Sequence, residues 1–119
     1  VDALRLRHAL ALHALNNPEF DALDAQILGA ATAAHLRNED LHLREEARYL
    51  LQAHNDAARA LPLAIANWKI QHEPWDARLL LMAAQTAHQP QAAQPVREWL
   101  KTSRMEDVRL APFLKAAAP

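Results

Sequence analysis

Seven histidines in 119 residues raise the question of a metal site first, because imidazole is a common ligand for transition metals. Glu39-Asp40-Leu41-His42 is a Glu-x-x-His, and Glu45 adds a second carboxylate three residues beyond His42. On a helix these side chains share a face. A di-metal carboxylate bundle needs that motif twice, together with two more inward carboxylates, and the sequence holds no second copy. His8 and His13 are five apart, a poor spacing for one ion on a helix. No metal ligand and no cofactor are assigned. His54 and His88 each stand at the end of a helical pattern, where a histidine can satisfy last-turn carbonyls.

Catalytic motifs are missing as well. There is no Gly-rich phosphate loop, no Gly-x-Ser-x-Gly and no His-Glu-x-x-His. Ser103 is the only serine, and no base stands near it. The chain has no cysteine, which excludes disulfides, zinc thiolates and thiol nucleophiles. No catalytic residue is expected. With 13 basic and 14 acidic residues the net charge is −1, so no overall field favours nucleic acid. Arg97, Lys101, Arg104, Arg109 and Lys115 make the C-terminal part basic, but Glu98, Glu106 and Asp107 interrupt them, and no aromatic is interleaved to stack on bases. That run reads as a solvated face. No apolar stretch approaches the roughly 18–20 residues that span a bilayer.

The chemistry left is recognition. His54-Asn55 precedes His88-Gln89 by 34 residues, and Ala60-x-Pro62 precedes Ala93-x-Pro95 by 33. A period in the mid-thirties, filled by two helices and a turn, marks a helical-hairpin repeat. Aligned at 34, Arg44 lies over Arg78 and His54 over His88, with Gln85 further along the helix that carries Arg78. Two arginines one repeat apart could grip a carboxylate or an acidic peptide through paired hydrogen bonds. Against this, both could pair with Glu45, Asp76 or a neighbouring helix and only solubilise the surface.

The elements that must position these residues follow from composition. Hydrophobic content is 51% but aromatics only 5%, so the apolar surface is mostly Ala and Leu, strong helix formers. One glycine, Gly29, leaves no chain of tight hairpins. The fold class is all-α. Patterning predicts helices over about 2–15, 19–36, 40–54, 56–71, 75–87 and 91–102, with a seventh, capping helix over about 107–117. They form hairpins over about 2–37, 40–71 and 75–102 within one domain. Asn16-Asn17-Pro18 stops the first helix, since Asn tolerates left-handed backbone and Pro cannot continue a helix. Asn55 or Asp56 caps the fourth. Pro62 is placed in the first turn of a slightly later start or at a kink. Gly29 marks either close approach of a neighbouring helix or a tolerated weakness. The fifth helix is apolar nearly all round and should be buried on most sides. Trp68 and Trp99 fall at core spacing, whereas Trp75, beside Pro74, is the indole expected to show exposure.

Ala60-Leu61, Ala64, Asn67-Trp68, Glu73-Pro74, Asp76-Ala77 and Leu79 to Ala84 resemble bacterial tetratricopeptide repeat proteins. In that family a small residue starts the second helix, a Pro closes the repeat and an Ala-rich first helix follows. Arg44 to Leu51, Asn67-Trp68 and Asp76 to Leu81 are similar to the C-terminal part of exported members. The Trp-x-x-Leu-Gly-x-x-Tyr core of the family is absent, and the hairpin before residue 38 has a longer period. The resemblance implies a right-handed solenoid that binds a protein or peptide partner, with Arg44, Arg78, Gln85, His54 and His88 as candidate contacts. A start at Val1 without an initiator Met reads as a fragment of a longer array. The competing expectation is a small closed bundle with a ligand or metal site built from its histidines.

Overall fold

The structure, a computed structural model, describes residues 3–38 and 42–103. Six α-helices appear in order: α1 (Ala3–Ala14), α2 (Phe20–Leu36), α3 (Leu43–His54), α4 (Ala57–Ile70), α5 (Pro74–Thr86) and α6 (Gln94–Ser103). A 3₁₀ turn (Pro90–Ala93) leads into α6. No strand occurs among the described residues, and the fold is all-helical, as the composition requires. The expected capping helix over 107–117 and the Glu39-x-x-His42 motif fall wholly or partly outside the described residues.

Side-chain chemistry at the joints explains the boundaries. Asn16, Asn38, Asn55 and His88 have φ of 53°, 57°, 50° and 58°, the left-handed region that Asn adopts more readily than most residues. After α1, α3 and α5 the backbone folds back on the helix end: Asn17 N–H donates to Leu12 O, Asp56 N–H to Leu50 O and Gln89 N–H to Ala84 O. Asp56 caps α4, its carboxylate accepting from Arg59 N–H at 3.1 Å. Pro74 is the first residue of α5, where its missing N–H costs nothing. Pro62 does not take the first-turn position that was one of its two expected places. Because Asp56 starts α4 at Ala57, Pro62 is well inside the helix. It is exposed, and its ring deletes the bond that residue 62 would give to the Ala58 carbonyl.

Packing divides the helices into two groups. In the larger, α3 packs on α4 and α5, α4 on α5, and α5 on the 3₁₀ turn and α6. Its core joins Leu50, Leu61, Trp68, Leu79 to Leu81, Val96 and Leu100 with a lining of alanines. Each fully buried Leu there contributes about 1.5–3 kcal/mol. Helix α5 buries Asp76, Ala77, Leu79 to Leu81, Ala83 and Ala84, so it lies in the middle of the stack. The smaller core, Leu6, Ala9, Ile27 and Tyr49, joins α1 and α2 to α3.

The two C-terminal hairpins share a spacing of 33 residues rather than 34. Leu43 and Asp76, Ala47 and Leu80, Leu50 and Ala83, Ala60 and Ala93, and Asn67 and Leu100 are all buried. Asn55 and His88 are the corresponding left-handed residues. Trp68 is 6% exposed, as expected. Trp99 is only half-buried: it meets the edge of Trp68 at 5.3 Å and stacks on His72 near the surface. Gly29 is exposed, and a Cβ there would touch nothing within 4 Å. Close helix approach is therefore not its reason.

Candidate functional site

Asp76 is the polar centre of the molecule. It sits in the first turn of α5 with 1% of its surface exposed. Four donors converge on its carboxylate. Arg44 gives Nε to Oδ1 at 2.6 Å and Nη2 to Oδ2 at 2.9 Å. Asn67, also buried, gives Nδ2 to Oδ1 at 2.8 Å, and Glu73 its backbone N–H to Oδ2 at 3.0 Å. Burial alone would raise this carboxyl's pKa. The bonds from Arg44, Asn67 and the Glu73 N–H outweigh burial and hold it below the ordinary value. The same ion pair raises Arg44 against the opposing effect of its own desolvation. Arg44 further donates to Gln71 and to Glu73, at 2.5 and 3.1 Å. It is thus a bracket tying α3 to α4 and α5, the arrangement weighed above against a free cation.

Beside this bracket lies a cleft of about 140 Å³. Helix α1 contributes Leu6, Arg7 and Leu10, α3 contributes Arg44, Glu45 and Arg48, and α5 contributes Trp75. One wall thus comes from the first helix of each hairpin. Leu6 is buried and Leu10 half-buried, giving the cleft an apolar side. Trp75 is half-buried, and two guanidinium carbons lie over its ring, Arg48 at 5.1 Å and Arg78 at 4.8 Å from the centroid. Cations placed so are attracted by the ring quadrupole. Arg7, Arg48 and Arg78 have no carboxylate partner among the described residues. Arg48 only shares a 3.3 Å bond with Gln52. In the cleft lining Arg7, Arg44 and Arg48 face Glu45, and Arg44 is in turn paired with both Asp76 and Glu73. Two arginines of the lining without a carboxylate partner among the described residues, Arg7 and Arg48, thus share the cleft with an indole.

The sequence-derived residues separate on this map. Arg44 borders the cleft as the bracket, whereas Arg78 lies over the indole and is not part of the lining. Gln85 is exposed in the last turn of α5, about 10 Å along the helix from Arg78 at 1.5 Å per residue. His88 is exposed and left-handed at the turn beyond. His54 is engaged elsewhere. Its Nε2 lies 2.7 Å from Asp24 Oδ1, the oxygen that also accepts from the buried Tyr49 hydroxyl. Burial, then the bond to Asp24 and its charge, push the Tyr49 phenol well above its usual range. The 33-residue register sets Asn55, not His54, opposite His88, and Glu45, not Arg44, opposite Arg78.

Arg7, Arg48 and the pair of leucines on α1 were not identified from the sequence. Arg48 had a signal: it follows Arg44 by four residues and shares its face. Arg7 had none, because the longer first hairpin hides the register of α1 against α3. Among the described residues no three His, Asp or Glu side chains are grouped to hold a metal ion. No helix among them is long and apolar enough to cross a membrane. Compared with family models, curated proteins and solved structures, the chain has no match in any of the three.

Proposed function

We propose that this chain is a non-catalytic interaction scaffold of the tetratricopeptide type, a right-handed stack of helical hairpins that binds a protein or peptide partner on its α1/α3/α5 face. One observation carries the reading: the first helix of every hairpin contributes a wall to the same cleft. Stacked hairpins that bury one helix and present the other make such extended concave surfaces. The 33-residue spacing of the buried positions in α3–α4 and α5–α6 supports it further. The competing closed bundle with a histidine site has no ligand cluster among the described residues to build on.

A photo-crosslinking amino acid at position 7, in the cleft, and at exposed Lys69 on α4 tests the scaffold in the cells that make it. Adducts specific to position 7 are expected. Adducts of equal yield at both positions, or none at position 7, would overturn the reading.

A further inference from the structure

We draw no further inference here: the strongest candidate, the apolar outer face of the α1–α2 hairpin, where Leu15 and Leu36 are 75% and 82% exposed and an added Cβ at Gly29 would meet nothing within 4 Å, carries none because nothing in the structure shows what covers it.

Discussion

The two ends of the chain solve the same packing problem with different chemistry. From α3 to α6 an apolar core runs without interruption, and its one buried carboxylate, Asp76, is met by four donors. The α1–α2 hairpin has a core of only Leu6, Ala9, Ile27 and Tyr49. It leaves Leu4, Leu15 and Leu36 at least 70% exposed. Polar contacts to α3 supplement that small core: His35 to Glu46 at 2.8 Å, His54 to Asp24 at 2.7 Å, and Tyr49 to Asp24. Cohesion in one region comes mainly from removed apolar area, and in the other from a smaller apolar core together with hydrogen bonds. Surface pairs of that kind contribute little individually. Stability should therefore be graded along the chain, lowest at the N-terminal hairpin.

The largest effect that can sharpen this contrast is at Asp76. Replacing it with Ala strands Arg44 and Asn67 and should cost about 3–5 kcal/mol in denaturant unfolding. Its lowered pKa gives the sign of the pH dependence. The stabilisation is present above the unfolded value of 3.8 and is lost as pH falls through the lower folded value. The variant should accordingly show a flatter acid limb than the parent. A loss under about 1 kcal/mol would mean that α3–α6 does not depend on the bracket.

Next in size is Trp68→Ala, expected to cost about 3–5 kcal/mol in the same assay. Trp99→Ala should cost clearly less, because that indole is half-buried. Equal losses would show that the surface aromatic group of Trp68, His72 and Trp99 acts as one core unit. Asp24→Ala comes third. It leaves the buried Tyr49 hydroxyl without its acceptor, at about 1–3 kcal/mol. Amide exchange should quicken in α1 and α2 and stay unchanged in α4 to α6. Uniform acceleration across the chain would erase the distinction between the two regions. The smallest change has the opposite sign. Gly29→Ala on exposed α2 should add about 0.5–1 kcal/mol, read as a raised melting temperature.

Where the sequence was legible, the determinant was local. Asn16, Asn55 and Asp56 act on backbone groups within a few residues, and Pro74 acts on its own φ, so their types alone predict the joints. The apolar run Leu79 to Ala84 predicts the buried helix by the same economy. Residues whose role depends on register across hairpins were harder to place. Asp76 looks like any acid in a first helical turn, and only the meeting of α3 and α4 over it makes it a buried hub. The one-residue difference between periods of 33 and 34 shifted the register counterpart of Arg78 from Arg44 to Glu45. Arg7 enters the cleft through the packing of α1 on α3, which no spacing within the chain reports.

The bond from Tyr49 to Asp24 also sets an order in time. Asp24 leaves the ribosome 25 residues before Tyr49, a lag of about 1–5 s at 5–20 residues per second. Throughout that interval Leu6 and Ala9, which pack with Tyr49 in the fold, have no α3 to close against. The α1–α2 hairpin is thus made before the residues that fasten it. Its nascent form is the stage of synthesis at which a chaperone has the most to hold.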